Sequence, residues 1–235
     1  MSAPKGFLLV FSEPGPAVPE DEFHDWYDNE HVPLRIDVPT FSSWTRWEQI
    51  DGQKPSWAAY YDLESFEATQ VPPYSRLAET RSEREKGILP KLEVLDRRTY
   101  EVYTGHPGTP PSTLYDPKKS AGFMVLVEAD LKPEHEADFN RWYDEEHIPL
   151  LAKAPGWVRS RRFVIKDDSC IGAEGAKRTE KPLKYLTVHE WTVQDFPDSP
   201  GYKHATNTPW RTEVMENVTK KARRVFKLYK EWQRD

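Results

Sequence analysis

Cysteine is nearly missing from this chain. Cys170 stands alone, so no internal disulfide can form and there is no cysteine framework for structural zinc. That suits a reducing compartment, and a cytoplasmic protein is expected. Long apolar runs are missing too: the N-terminal run Phe7–Phe11 meets Ser12, Glu13 and Pro14 at once. It is too short for a signal-peptide core or a membrane span and reads as a buried strand. Lys and Arg are scattered rather than gathered in blocks, and 33 of them face 39 Asp and Glu for a net charge of -6. Such a surface has no electrostatic footprint for a phosphate backbone, so nucleic acid is not an expected partner. The chain also lacks a Gly-rich phosphate loop and a G-x-S-x-G elbow, and pairs such as Glu30-His31 lack metal-ligand spacing. Neither a metal nor a cofactor is expected.

What the chain does have is aromatic mass: 13% Phe, Trp and Tyr, with nine Trp, inside a 37% hydrophobic composition. Its 235 residues suffice for one large domain or two of roughly 100 residues. The choice between them comes from a repeat. WYDNEHVPLR (Trp26–Arg35) returns 116 positions later as WYDEEHIPLL (Trp142–Leu151). At the same offset Gly6-Phe7 meets Gly122-Phe123, Phe23 meets Phe139, Pro39 meets Pro155 and Arg46 meets Arg162. After an insertion in the second copy, Arg97-Arg98 and Tyr103 meet Arg223-Arg224 and Tyr229. Two copies of one unit account for the chain.

Each copy has a readable order. A short apolar strand (GFLLVF, GFMVLVEA) precedes a helix, about Asp21 to Arg35 and about Pro133 to Leu151, that Pro33 and Pro149 should end or kink near its histidine. Two aromatic and β-branched strands follow, then a helical region (roughly Pro73–Lys86 and Thr208–Lys220) and a last strand. The order β-α-β-β-α-β is the ferredoxin-like unit. The fold class is therefore α+β: two ferredoxin-like units pairing face to face into an intramolecular α/β barrel. The expected division is 1–105, a Pro-rich linker 106–120, and 121–235 with an insertion at 167–182 that reads as a mobile flap over the second pocket.

FHDWYDNEHVPL and FNRWYDEEHIPL resemble the W-Y-x-x-E-H-x-P signature of EthD-like proteins in the dimeric α/β-barrel superfamily, across both halves of the chain. The fusion of two unequal copies resembles fungal tandem members. The resemblance implies the barrel fold. For activity it implies a range that includes polyketide cyclases, decarboxylases, cofactor-free monooxygenases, isomerases and haem-using enzymes.

His31 and His147 are the first candidates for chemistry, as neutral-pH acids and bases beside Glu30 and Glu146. At 100° per residue a Glu and the adjacent His cannot share the centre of one face, so one of each pair serves structure. The alternative is that the imidazole simply satisfies carbonyls at a helix end. His189 is the next candidate. In YLTVHEW, Tyr185, Thr187, His189 and Trp191 alternate onto one strand face that should look into the barrel, leaving aliphatic Leu186 and Val188 for the helices. A buried His bonded within the sheet is the alternative there. Tyr61 and Trp57 hold matching places in the first copy, and Tyr143 and Arg162 complete the expected ligand contacts, although the arginines are also readable as surface or salt-bridge residues. The expected function is cofactor-independent acid/base chemistry of lyase or isomerase type on an aromatic or polyketide-like small molecule. A non-catalytic carrier and a cofactor-free monooxygenase are the alternatives. Internal pairing makes a monomer sufficient and leaves a further homodimer open.

Overall fold

The computed structural model describes residues 5–105 and 108–234; the first four residues, His106 and Pro107 of the expected linker, and the last residue lie outside them. The first half contains β1 (Gly6–Glu13), α1 (Glu20–Trp26), α2 (Pro33–Ile36), β2 (Trp44–Gln49), β3 (Trp57–Leu63), α3 (Glu83–Ile88) and β4 (Val94–Val102). The second contains β5 (Phe123–Leu131), α4 (Glu136–Trp142), α5 (Ile148–Leu151), β6 (Trp157–Ile171), β7 (Tyr185–Trp191), α6 (Pro200–Ala205), α7 (Pro209–Glu216) and β8 (Val218–Trp232). The strands run in the order β1-β3-β2-β8-β5-β7-β6-β4 as a closed antiparallel barrel. Residues 108–119 of the expected linker form neither helix nor strand.

By compactness, one unit comprises the chain through Val102 with Ile165–Pro182 and the end of β8 from Tyr229; the other comprises Tyr103–Val164 and Leu183–Leu228. In the first unit, Phe23, Trp26 and Tyr27 cover the β1 and β3 residues Leu8, Val10, Trp57, Ala59 and Tyr61. In the second, Phe139, Trp142 and Tyr143 cover Val125, Ala129, Tyr185 and Trp191. Each large apolar side chain so buried contributes about 1.5–3 kcal/mol of transfer free energy.

Three features depart from the sequence expectation. First, Tyr185, His189 and Trp191 face the helices: Phe139 meets Tyr185 at 5.4 Å and Tyr143 meets His189 at 6.5 Å between ring centroids. Aromatic and polar groups on the strand need ring and hydrogen-bonding partners, which the helix motif supplies. Leu186 and Val188, also fully buried, take the opposite face. Second, the ungapped match of Gly6-Phe7 to Gly122-Phe123 does not hold in space. Leu8 sits opposite Tyr61 and Val125 opposite His189, both facing helices, so the first strands correspond one residue out of step with the later motif.

Third, the segment expected to be a flap is anchored. Asp167–Ile171 extend β6, and Ala173 and Glu174 donate backbone hydrogen bonds to Leu92 O and Glu93 O at 2.8 and 2.9 Å. Arg178 pairs with Asp96 and Asp168. The turn needs Gly172, at φ +103°, where an added Cβ would lie 2.6 Å from Leu92 O. Gly172→Ala is expected to cost roughly 1–3 kcal/mol. Urea unfolding and faster proteolysis within 172–182 would register it; an unchanged midpoint would contradict it.

Candidate functional site

The repeated motif builds the same local device twice. After α1 and α4 the helix widens to π geometry over Tyr27–His31 and Tyr143–His147, with Val32 N–H donating to Tyr27 O five residues back at 2.9 Å. Proline at position 33 or 149 has no N–H, and its ring would press on the carbonyl four residues earlier in a regular helix. The widened turn relieves that contact, and such turns recur at functional sites.

Asp, Glu and His of the motif then divide their work. Asp28 accepts from Arg46 and Lys230, and Asp144 accepts from Arg162 at 3.5 Å. Arg46 lies 4.4 Å over the Tyr27 ring, as Arg162 does over Tyr143. Glu30 accepts from Ser82 Oγ and Glu146 from Thr208 Oγ1; both hydroxyls cap the following helix, α3 or α7. The carboxylates thus dock helices, and the histidines turn inward.

In the first unit His31 lines a cavity of about 160 Å³ with Arg35, Arg81, Arg97, Tyr74 and Val10. His31 Nδ1 and Glu85 Oε1 are 3.2 Å apart, both groups buried. With Glu85 ionised, Nδ1 carries the proton and donates; Nε2 has no partner among the described residues. Burial, then the nearby Arg35, lowers the His31 pKa to about 4 against the pull of Glu85. Burial works to raise the Glu85 carboxyl, but the His31 hydrogen bond and the charges around it leave it lowered overall. The result at neutral pH is a neutral, oriented imidazole. Nearby, the buried Tyr27 and Tyr61 phenols are close enough to influence one another, yet neither makes a hydrogen bond of good geometry. Burial raises both, so they are acids rather than bases at neutral pH.

The second unit repeats the arrangement with different chemistry. His147 and His189, 6.0 Å apart, line a cavity of about 40 Å³ with Val127, Trp191, Tyr202 and Arg223. That volume holds a few waters. His147 Nδ1 donates to Ala205 O at 3.1 Å, and His189 Nδ1 meets Ser160 Oγ at 2.7 Å. Burial lowers His147 to about 4 and His189 well below the usual range. Burial raises the Tyr143 phenol.

A histidine held neutral in the folded state and free to protonate when unfolded makes acid destabilising. Stability is complete above the unfolded pKa of 6.5 and is lost as pH falls toward about 4, by about 3 kcal/mol for His147. Urea midpoints of His147→Gln should therefore fall less steeply than wild type over that window, the carboxylate contribution being common to both. Parallel slopes would contradict it.

Of the expected site residues, His31, His147, His189 and Trp191 line cavities. Tyr61 packs against Phe41 at 5.7 Å between ring centroids, and Tyr143 packs behind His147 and His189. Trp57 meets His24 edge-on at 4.4 Å, and Tyr185 donates to Glu136 at 2.9 Å. Arg162 is not at the surface: it is buried on Asn140 and Asp144 beneath the helix motif. Glu85, Arg35, Arg81 and Arg97 were not singled out from sequence. Their signal lies in the repeat, where Arg35 is matched by Leu151 and Glu85 by Arg211. Among the described residues no His, Cys, Asp and Glu group could hold a metal, and no helix is long and apolar enough to cross a membrane.

No protein-family model matches the sequence, and no curated protein matches it. Solved structures do. An anthrone oxidase-like protein superposes with a TM-score of 0.60 at 12% identity, covering 99% of this chain and 94% of its own. A candidate monooxygenase of Fusobacterium nucleatum gives 0.57 at 9%, covering 99% and 95%. Another from Lactobacillus acidophilus gives 0.56 at 11%, covering 99% and 97%. At such identities the likeness is one of fold, and the fold of this chain is the ferredoxin-like dimeric α/β barrel.

Proposed function

We propose that the protein is a small-molecule enzyme whose first-unit cavity performs cofactor-independent proton transfer on an enolisable or phenolic substrate. The observation that carries this reading is the His31–Glu85 pair: a neutral imidazole, its Nδ1 proton directed to a carboxylate, with Nε2 left for a substrate proton in a cavity of about 160 Å³. Nε2 takes a proton from the substrate, the electron pair of the broken bond moves onto the carbonyl oxygen as an enolate, and the neighbouring guanidinium groups stabilise that charge. Cyclisation, dehydration and isomerisation all begin this way; in a decarboxylation the same enolate forms as CO2 leaves, and the guanidinium groups stabilise it in the same manner. The EthD-like resemblance of the motif supports the class without choosing among them.

A second reading is oxygenation of the same enolate by dioxygen, favoured by the anthrone oxidase-like and monooxygenase descriptions of the structural neighbours. The test is incubation of the purified protein with anthrones, phenolic acids and lactones, in air and without oxygen, with products read by mass spectrometry. Conversion in both atmospheres supports proton-transfer chemistry, and conversion only in air selects oxygenation. Binding without conversion leaves a carrier.

A further inference from the structure

The two cavities differ most in charge. Arg35, Arg81 and Arg97 all line the first, and the repeat places Leu151, Asn207 and Arg223 at their positions, so only one of the three is kept. These guanidinium groups are incompletely neutralised. Arg97 donates to Asp167 at 3.0 Å and to the Tyr74 hydroxyl. Arg81 reaches Glu85 only at 3.6 Å, a carboxylate already engaged by His31. Arg35 donates to the His31 carbonyl, a neutral acceptor, and lies over the Tyr74 ring, with no carboxylate partner among the described residues. Three cations against Glu85 and Asp167 leave an excess positive charge in a confined space, which is unfavourable unless an anion completes it.

The cavity also adjoins a mainly apolar vestibule. Arg81, Leu89 and Ile171 are shared with an outer hollow of about 450 Å³ lined also by Pro90, Gly172, Ala176 and Lys86, whose ammonium is paired with Glu83 at 2.7 Å. An anion-binding end beside His31 and an apolar end beyond it define an amphipathic ligand. We propose that the first-unit cleft takes a cyclic organic carboxylate, its carboxylate among Arg35, Arg81 and Arg97 and its ring outward along Leu89, Pro90 and Ile171. This rests on reading the cleft as the substrate site, and it names the substrate class.

The experiment is calorimetric titration of the whole protein with 2-naphthoate and its neutral amide, 2-naphthamide. The carboxylate is expected to bind one equivalent, at least roughly tenfold tighter than the amide, and more weakly at high salt. Arg81 is 37% exposed, so Arg81→Gln should fold, and it should remove roughly tenfold of the affinity while Arg81→Lys retains most of it. Equal binding of acid and amide, unchanged affinity in Arg81→Gln, two equivalents per chain, or no carboxylate binding in the millimolar range would each overturn the proposal. Binding needs no turnover. A protein that binds 2-naphthoate as stated but converts nothing would sink the catalytic reading alone, and conversion of neutral substrates without carboxylate preference would sink this one alone.

Discussion

His31→Gln is expected to lower the turnover of any converted substrate by about 10²–10⁴-fold while the fold persists. The size follows from what the side chain supplies. Glu85 holds the Nδ1 proton, so the lone pair is on Nε2, and burial keeps the ring neutral. Glutamine preserves a hydrogen bond toward Glu85 but cannot accept a proton near neutral pH. Glu85→Gln removes the charge that fixes the tautomer and should cost less, because some of the imidazole population still presents Nε2. His147→Gln, in the small second cavity, should leave the rate near wild type. The pH profile gives an independent check: a base with a pKa of about 4 is already deprotonated at neutrality, so kcat/KM should be flat there and fall only on the acid side toward that value. An acid limb centred on the ordinary histidine value of about 6.5 would assign catalysis to a different group. Equal turnover in wild type and His31→Gln would remove the mechanism outright.

The sequence carried more of the scaffold than of the site. The repeat and the alternation of helical and strand periods place both units, because each periodicity is a local consequence of burying one face. The orientation of the YLTVHEW strand is not legible in the sequence, because alternation identifies two faces without naming what covers each. Aliphatic Leu186 and Val188 looked the better match for the helices, whereas Phe139, Tyr143 and His147 pack against the aromatic and polar side. The π turn was invisible to an argument built on 3.6 residues per turn, although the proline closing both copies marks where the regular register fails. His31 was legible as a candidate, but its partners were not. Arg35, the Arg81–Glu85 stretch at the start of α3, and Arg97 lie on three separate segments and converge only in the folded unit. What could have exposed them is the inequality of the copies: a repeat retained for the barrel has no architectural need to exchange Glu85 for Arg211 or Arg35 for Leu151. Positions where the motif is kept and its surroundings change are where the two cavities acquired different chemistry.

The largest stability effect is expected away from both cavities, at Arg46. This side chain is 1% exposed, pairs with Asp28, and lies over the rings of Tyr27, Phe23, Trp57 and Tyr229. Arg46→Met removes the guanidinium and leaves the nearly buried Asp28 carboxylate with Lys230, 42% exposed, as its remaining partner. Removing one partner of a buried ion pair costs about 3–5 kcal/mol, toward the lower end here because Lys230 stays 3.0 Å from Asp28, and in a chain of this length that lowers Tm by roughly 10 °C. The double variant Asp28→Leu/Arg46→Met should recover a large part of that loss, since much of the penalty is the stranded carboxylate rather than the missing attraction. Recovery will be incomplete because four aromatic rings lose their cation. Urea denaturation of the two single variants and the double variant closes this cycle. A double variant no more stable than Arg46→Met would mean that the ring stacking, not the ion pair, holds the motif in place. Either result bears on the site, because Asp28 lies in the π turn that ends at His31. If the double variant keeps its fold but loses turnover at temperatures well below its Tm, the ion pair positions the base. If it keeps turnover, the ring packing of Trp26 and Tyr27 against His31, at 4.8 Å each, is sufficient to aim it.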